Sequence, residues 1–328
     1  MKKTLFSITF LALTLQAKSY TNCTFKNPHY TDICKKVVKQ GVSYNYANRF
    51  LLNYFKTQKF DAISWKYLKP KYIKYHKTQE KKANNVLVSY LPKMVKNIQE
   101  HQEAYRYAEA KYGVNKEIIA AILLKETKLG KIQPTHDAFI VFNTIVTHLP
   151  DPKTSRERWL LKMAKSNMAT IIRYCYKYRI APQQCNLPSS YAGAVGIPQF
   201  MPNSFTYAES YKNGIPNLND MDDAILSVAK FLHKKANFTM LIDWRLMPDI
   251  PAVESDWYNY AYEHENASLV HEKNKAGKKL ACYTKNKPEL EYFKAYIKKI
   301  MRYNNSSNYA IGVLRLAFDA HLALTKRY

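Results

Sequence analysis

The sequence contains little glycine, with 8 residues among 328, and few runs in which apolar and polar residues alternate. A chain poor in both features is expected to be rich in helix, so we predict a mainly α fold. No internal repeat of fixed period occurs, which argues against a solenoid. Cysteine is also scarce, and none of the five occurs in a CxxC or Cys/His spacing typical of zinc sites.

Long hydrophobic segments are missing, and no stretch is apolar over enough residues to span a bilayer. The one apolar run, Leu5 to Leu15, follows the basic residues of Met1 to Lys3 and precedes Ala17 to Ser19. This pattern is typical of a secretory signal peptide cleaved after about residue 19. Tyr20 to Asn22 do not form the small-residue motif that precedes a lipidated cysteine. We therefore expect an exported protein that is not an evident lipoprotein, located in the periplasm of a two-membrane bacterium.

Export to an oxidising compartment favours disulfide formation. Proximity in the sequence suggests the pairs Cys23–Cys34 and Cys175–Cys185, with Cys282 left free. Sequence alone leaves other connectivities open.

Acidic residues are in short supply, with 25 Asp and Glu against 51 Lys and Arg, which gives a formal net charge of +26. Such a balance suggests an anionic partner, either nucleic acid, anionic lipid or an acidic cell-wall polymer. Export argues against nucleic acid. A lysine excess spread over solvated faces is an equally good explanation. The basic and aromatic stretch Lys66–Tyr75 suits a glycan or anionic polymer, although we favour a surface helix with its tyrosines packed inward.

Glu126 stands near the end of an amphipathic segment that begins after Asn115, a plausible helix N-cap. Ile122 and Leu123 lie four and three residues before it, which places the carboxyl group on the apolar face. Gly130 is the expected helix stop, so the carboxyl also lies at the negative end of the helix dipole. Both effects favour the neutral acid and predict a general acid. The alternative is a glutamate that turns to solvent or pairs with a lysine.

Two later segments are informative but ambiguous by themselves. Residues 189–204 concentrate small residues around Gly193 and Gly196, which permits either a close backbone approach to a ligand or tight helix packing. Residues 209–220 have the length of a calcium loop, but the tyrosine at position three and the proline at position eight argue against a working site. We therefore predict no metal here.

Four segments, taken in their order along the chain, resemble the lytic murein transglycosylase family of the membrane-bound B type. They are Tyr112 to Gly130 with the motif KETKLG, Ser190 to Pro202 (SYAGAVGIPQFMP), Asn217 to Ala229 (NLNDMDDAILSVA) and Arg302 to Tyr309 (RYNNSSNY). The resemblance covers about residues 90–328 with a gap at 241–290. Each motif is weak alone, whereas four in order make a chance match improbable.

The resemblance implies a lysozyme-like helical catalytic core with an N-terminal helical extension and a small inserted subdomain. We divide the chain accordingly into a signal peptide (1–19), an N-terminal helical region (20–95), the core (96–240), a variable insertion (241–290) and C-terminal helices that complete the core (291–328).

The resemblance also implies cleavage of the bond between N-acetylmuramic acid and N-acetylglucosamine in peptidoglycan. Glu126 is then the only catalytic carboxylate, and the product carries a 1,6-anhydro end. The expected partner is the peptidoglycan glycan strand, with possible contacts to an anionic polymer or to envelope proteins. No cofactor is implied.

Five further residues match family positions around the substrate. Ser190 and Gln199 match residues near the catalytic glutamate and the N-acetyl group, and Tyr303, Asn304 and Tyr309 match a segment that closes the cleft wall. Ile197-Pro198 departs from the tyrosine-glycine pair that is common in the family. Arg156 and Arg158 are candidates for stem-peptide contacts only by their position in the chain.

Two alternatives remain at the level of sequence. A hydrolase of goose-lysozyme type would share the fold but leave reducing ends. A peptidoglycan-binding or scaffold protein without catalysis would not need Glu126.

Overall fold

A computed structural model describes residues 23–52, 57, 59–68, 79–264 and 275–325. The predicted signal peptide and residues 69–75 of the basic and aromatic stretch lie outside these ranges. None of the described helices combines the length and the apolar character needed to cross a bilayer.

The described residues form fourteen α-helices and two strands of two residues each. In chain order the helices are α1 (Pro28–Lys39), α2 (Tyr44–Leu52), α3 (Ala62–Tyr67), α4 (Glu80–Val88), α5 (Leu91–Glu100), α6 (Gln102–Tyr112), α7 (Lys116–Thr127), α8 (Ala138–His148), α9 (Ser155–Lys177), α10 (Met221–Ala236), α11 (Ile250–His264), α12 (Lys275–Tyr283), α13 (Glu291–Ile300) and α14 (Ser307–Thr325). Strands β1 (His136–Asp137) and β2 (Pro188–Ser189) pair antiparallel. The predicted mainly α fold is confirmed.

The chain divides into two compact units. The first contains the described residues up to Asp61 together with residues 139–187, and so holds α1, α2, α9 and nearly all of α8. Both disulfides lie in this unit and have the predicted pairing, Cys23–Cys34 and Cys175–Cys185. Cys282, in the second unit, is free and exposed, also as predicted.

Helix α9 shows how local sequence sets the boundaries of an element. We predict a long helix over Arg156–Tyr178, and the structure places it at Ser155–Lys177. Thr154 accepts a hydrogen bond from the backbone N–H of Glu157, and the carboxylate of Glu157 accepts one from the N–H of Thr154. This capping box satisfies two backbone donors at the start of the helix.

The second unit, residues 62–138 and 188–325, is built around α7. Nine of the twelve residues of α7 are buried, and α14 packs along it together with α5 and α10. The segment 241–290 contributes to this unit, because α11 packs on α14 and the indole N–H of Trp257 donates a 2.7 Å hydrogen bond to Asn308.

Two helix boundaries differ from the sequence predictions. The helix expected over 97–112 is interrupted at His101, whose backbone leaves helical geometry with φ −109° and ψ 29°. The helix expected over 135–144 begins only at Ala138, because His136 and Asp137 pair with Ser189 and Pro188.

Candidate active site

Glu126 lies in the last turn of α7. Asn115 occupies the N-cap position, but its side-chain oxygen accepts a hydrogen bond of 2.7 Å from the backbone N–H of Ile242 and does not cap the helix.

The helix ends at Thr127, with Lys128 and Leu129 in the left-handed region at φ 51° and 59°. The predicted stop at Gly130 is therefore two residues beyond the observed C-cap, Lys128. Lys128 and Leu129 close the helix through N–H bonds to Leu124 and Leu123, so no glycine is needed for the stop.

The carboxyl group of Glu126 is half-buried, and the hydroxyl of Tyr309 donates a 2.7 Å hydrogen bond to its Oε1. Burial raises the pKa of Glu126 from its ordinary 4.5 to about 7, because desolvation penalises the charged form more than the Tyr309 hydrogen bond stabilises it. Within the described residues Oε2 accepts no hydrogen bond. This oxygen is therefore available to a substrate.

Two further charges act on Glu126 with opposite sign. The Lys125 ammonium lowers the pKa of Glu126, and the Glu80 carboxylate raises it. Glu80 begins α4 and accepts a 2.6 Å hydrogen bond from the hydroxyl of Ser306. A second carboxylate thus lies within electrostatic range of Glu126. The sequence did not reveal Glu80, because the two residues belong to distant segments and no motif joins them.

The loop that carries Ser190 and Gln199 is attached to the end of α7. The hydroxyl of Thr127, next to Glu126, donates a 3.0 Å hydrogen bond to the backbone carbonyl of Ile197. The N–H of Ile197 donates in turn to the carbonyl of Leu218 at 2.8 Å. The loop is therefore fixed on both sides, and its position is coupled to the last turn of α7.

Gly196 is required by this attachment. It has φ +72°, and a Cβ placed there would lie 2.4 Å from Cβ of Leu218 and 2.5 Å from its carbonyl oxygen. Such distances exclude any side chain. The small-residue segment is thus explained by a close backbone approach within the protein.

Gln199 and Ser190 occupy different parts of the loop. Gln199 takes the left-handed conformation, with φ 51°, and its amide nitrogen donates to the carbonyl of Gly196 at 2.9 Å. Ser190 closes a turn, because its carbonyl accepts the N–H of Gly193 and its N–H donates to the carbonyl of Ala194. Neither side chain bonds to Glu126 among the described residues.

Tyr303 and Tyr309 reach the site from the end of the chain. Tyr309 belongs to the first turn of α14, although we expected the last helix to begin at Ile311. The helix starts earlier because the hydroxyl of Ser306 accepts the backbone N–H of Tyr309. The hydroxyl of Tyr303 donates to the carbonyl of Pro198. Burial, and after it the Glu126 charge, raises the pKa of both tyrosines. Asn304 is exposed and forms no side-chain bond to Glu126 within the described chain.

Arg156 and Arg158 lie in the first unit. The Arg156 guanidinium stacks 4.5 Å from the ring centroid of Trp159. Arg158 donates to the carbonyl of Lys153 at 2.8 Å and to the hydroxyl of Ser155 at 3.0 Å. These contacts hold both arginines at the start of α9, and their relation to a peptide stays a prediction.

Two lysines form ion pairs with the first residue of the calcium-like loop 209–220. The Glu209 carboxylate accepts contacts from Lys111 at 2.7 Å and from Lys230 at 3.1 Å. These hydrogen bonds lower the pKa of Glu209 against the opposing effect of burial. The first acidic position of the loop is therefore neutralised by two ammonium groups.

In the same loop, backbone N–H groups point toward a carboxylate at the centre. Asp223, from α10, accepts the backbone N–H groups of Tyr211 at 2.6 Å and Asn217 at 2.7 Å. A calcium ion needs oxygen ligands at the centre, whereas this loop directs N–H groups at a carboxylate. The residues present do not fit a calcium site. The described residues also contain no cluster of three or more His, Cys, Asp or Glu side chains suited to a metal ion.

Comparison with known proteins gives a consistent family. The family model described as "Transglycosylase SLT domain" matches residues 26–318. A comparison with curated protein sequences gives no significant match.

Three solved structures illustrate the fold. The Escherichia coli lytic transglycosylase Slt35, in complex with calcium, is 19% identical, with 91% of this chain and 94% of that chain covered and a TM-score of 0.59. Soluble lytic transglycosylase SltB1 from Pseudomonas aeruginosa is 21% identical, with 90% and 99% covered and a TM-score of 0.57. SltB3 from the same organism, in complex with NAG-anhNAM-pentapeptide, is 15% identical, with 92% and 79% covered and a TM-score of 0.53.

Proposed function

On the premise that this chain belongs to the transglycosylase SLT domain family, we propose that Glu126 is the single acid and base of a peptidoglycan cleavage that consumes no water. The enzyme is a lytic transglycosylase, a lyase that acts on peptidoglycan. The proposed bond is that between N-acetylmuramic acid and N-acetylglucosamine, and the proposed product is a 1,6-anhydro end. The observation that carries the proposal is the carboxyl of Glu126, whose pKa of about 7 keeps much of it protonated near neutral pH.

The first step uses the protonated carboxyl. Glu126 donates its proton to the glycosidic oxygen as the bond to C1 breaks, and the leaving sugar departs with a new hydroxyl. Tyr309 stays hydrogen-bonded to Oε1 and stabilises the carboxylate that forms, so Oε2 is the oxygen that delivers the proton. The acetamido group of the substrate stabilises the positive charge at C1, as in the substrate-assisted glycosidases.

The second step returns the site to its starting state. The Glu126 carboxylate takes the proton of the C6 hydroxyl of the muramyl residue, and that oxygen attacks C1 to close the anhydro ring. One proton leaves Glu126 and one returns, so the enzyme is regenerated and no water is consumed. The structure of SltB3 with NAG-anhNAM-pentapeptide supports this product class, since that ligand carries the anhydro sugar.

Ser190, Gln199, Tyr303 and Asn304 are proposed to contact the glycan rather than to transfer protons. Their support is the hydrogen bond from Thr127, the neighbour of Glu126, to Ile197 in the 190–200 loop, and the bond from Tyr303 to Pro198 in the same loop. Tyr309 both lines the site and contacts the reacting carboxyl.

Product analysis tests the proposal. Purified sacculi are digested with the wild type, Glu126→Gln and Glu80→Gln, and the soluble fragments are analysed by mass spectrometry. We expect wild-type fragments one water lighter than those released by a lysozyme hydrolase. Glu126→Gln should lose about 100- to 10,000-fold in rate, the usual contribution of general acid–base catalysis.

The Glu80→Gln variant is the matched control for the single-carboxylate mechanism. Glu80 is the other carboxylate that acts on Glu126, so a two-carboxylate hydrolase would lose activity with either variant. We expect Glu80→Gln to keep the same anhydro product. Reducing ends in place of anhydro ends would establish the hydrolase alternative.

The pH dependence gives an independent test of Glu126. The acid must be protonated in the free enzyme, so kcat/KM should fall as pH rises through about 7. A rate that stays constant up to pH 9 would remove Glu126 from the role of general acid.

We also propose that residues 1–19 are removed on export and that the enzyme acts in the periplasm. The two disulfides support this location, because such bonds persist in oxidising compartments. N-terminal sequencing of the protein recovered from a periplasmic extract should begin at about residue 20.

A further inference from the structure

Lys125, the residue before Glu126, is an unusual neighbour for a general acid because its side chain turns inward. It is half-buried, and burial lowers the pKa of its ammonium. The ammonium hydrogen-bonds to the side-chain oxygen of Asn84 and lies 4.9 Å from the ring centroid of Tyr309. This is the same tyrosine whose hydroxyl donates to Glu126. A cation, an aromatic ring and a carboxyl group are therefore connected in series.

The position of the ammonium is fixed from the opposite side by Asn84. The Asn84 amide nitrogen donates to the carbonyl of Asn308 at 2.9 Å and bonds to the hydroxyl of Tyr258, and its side chain is buried. Gly312 leaves the space that this side chain occupies, since a Cβ there would lie 2.3 Å from the Asn84 oxygen. The side chain of Asn84 is therefore held in place, and it fixes the position of the Lys125 ammonium.

The charges around Lys125 come from its own helix, α7, and from two others. Glu80 on α4, Glu126 on α7 and Glu254 on α11 all raise the pKa of the ammonium, against the effect of burial. Glu254 is itself paired with Arg315 on α14 at 3.3 Å. Two titratable hydroxyls are connected to the group: Tyr309 lies beneath the ammonium, and Tyr258 bonds to Asn84, the partner of Lys125. Of these three carboxylates, Glu126 is the one that accepts a hydrogen bond from Tyr309, the tyrosine beneath the ammonium.

We propose that Lys125 is a positioning residue of the active site, which stabilises the ionised form of Glu126 both directly and through Tyr309. The proposal rests on the proposed role of Glu126. A cation over an aromatic face is attracted to the ring, and it polarises the phenol so that its hydroxyl becomes a better donor. Burial favours the protonated Glu126 that must be present before proton donation. Lys125 favours the Glu126 carboxylate that proton donation creates.

The test removes the charge and measures Glu126 itself. The protein is labelled with ¹³C at glutamate carboxyls, and the Glu126 signal is assigned by its loss in Glu126→Gln. An opposite charge lowers a carboxyl pKa, and Lys125 acts on Glu126 in this direction, so Lys125→Met should raise the pKa of Glu126. The alkaline limb of the kcat/KM profile should move to higher pH by the same amount.

Lys128→Met is the matched control. Lys128 also places its ammonium over an aromatic ring, 5.0 Å from the centroid of Tyr90, and donates to the Tyr90 hydroxyl. It carries the same charge three residues further along but does not contact Tyr309. We expect this variant to leave the titration of Glu126 unchanged. If both variants changed the pKa of Glu126 equally, the effect would come from the net charge of the protein, and the proposal would be wrong.

Two further variants keep the result decisive. Lys125→Arg retains the charge and should keep the Glu126 titration near that of the wild type. Asn84→Ala keeps Lys125 but frees its ammonium, and should raise the Glu126 pKa in the same direction as Lys125→Met. An unchanged Glu126 titration in folded Lys125→Met, or in folded Asn84→Ala if the first variant does not fold, contradicts the proposal. Full activity in Glu126→Gln would instead defeat the proposed function, and the NMR titration would still decide the role of Lys125.

Discussion

The hydroxyl of Tyr309 donates a 2.7 Å hydrogen bond to Oε1 of Glu126, although 183 positions separate the two residues in the chain. Tyr309 is buried in the first turn of α14, and Glu126 lies in the last turn of α7. The packing of these two helices thus brings a neutral donor to a carboxyl that is otherwise poorly solvated. The bond opposes part of the rise in the pKa of Glu126 that burial causes.

Removal of this donor should weaken catalysis without abolishing it. A hydrogen bond to a charged group contributes about 1.5–3 kcal/mol, so Tyr309→Phe should reduce kcat by about 10- to 100-fold and raise the pKa of Glu126. The measurement is the pH profile of sacculus digestion. Tyr303→Phe is the control, because its hydroxyl donates to Pro198 and not to Glu126. An unchanged pKa in Tyr309→Phe would contradict the role given to this bond.

Glu126 should also limit stability at high pH. Its folded-state pKa of about 7 lies above the ordinary 4.5, so the stability present below pH 4.5 is lost as pH rises through 7. Glu126→Gln lacks this loss and should be the more stable protein at pH 8, by about 3 kcal/mol at most. Urea unfolding at pH 5 and pH 8 measures the difference. Equal gains at both pH values would show that the carboxyl is not desolvated.

The loop next to Glu126 depends on the absence of a side chain at residue 196. Gly196→Ala must relieve a contact of 2.4 Å with Leu218 while holding φ at +72°, and should cost about 2–4 kcal/mol of stability. Gly277→Ala is the control, since that glycine lies in α12 with no atom within 4 Å of the added carbon. It should stabilise the protein by about 0.5–1 kcal/mol. Thermal unfolding of both variants measures these changes. A Gly196→Ala variant as stable as the wild type would contradict the prediction.

Calcium should not stabilise this enzyme. The structure of Slt35 was determined with calcium, whereas the 209–220 loop here neutralises Glu209 with two lysines and directs N–H groups toward Asp223. Ligands stabilise a protein in proportion to their binding to the folded state, so the melting temperature should be equal in millimolar CaCl₂ and in EDTA. A rise with CaCl₂ that EDTA reverses would establish a site that this geometry excludes.

Local sequence was a good guide wherever a local interaction decides the structure. The start of α9 follows from Thr154 and Glu157, which are three residues apart and cap each other. The two disulfides join cysteines only 11 and 10 positions apart. The helix of Glu126 was also predicted, although α7 is buried on nearly every side, so its apolar face alone does not explain the position of the carboxyl.

Non-local contacts were beyond the reach of the sequence. Glu80 and Asn84 precede the segments that resemble the family, yet they lie beside Lys125 and Glu126 because α4 packs on α14. Nothing in the residues between 69 and 90 indicates that contact. The absence of an obvious second carboxylate in the motifs therefore did not exclude a second carboxylate near the site.

The placement of the cysteines has a consequence for biogenesis. Both disulfides belong to the first unit, and Cys282 is the only cysteine in the second. The unit that carries Glu126 therefore cannot form an internal disulfide. Internal disulfide formation concerns the other unit alone, and a reducing environment removes cross-links there without breaking a covalent bond of the unit that carries Glu126.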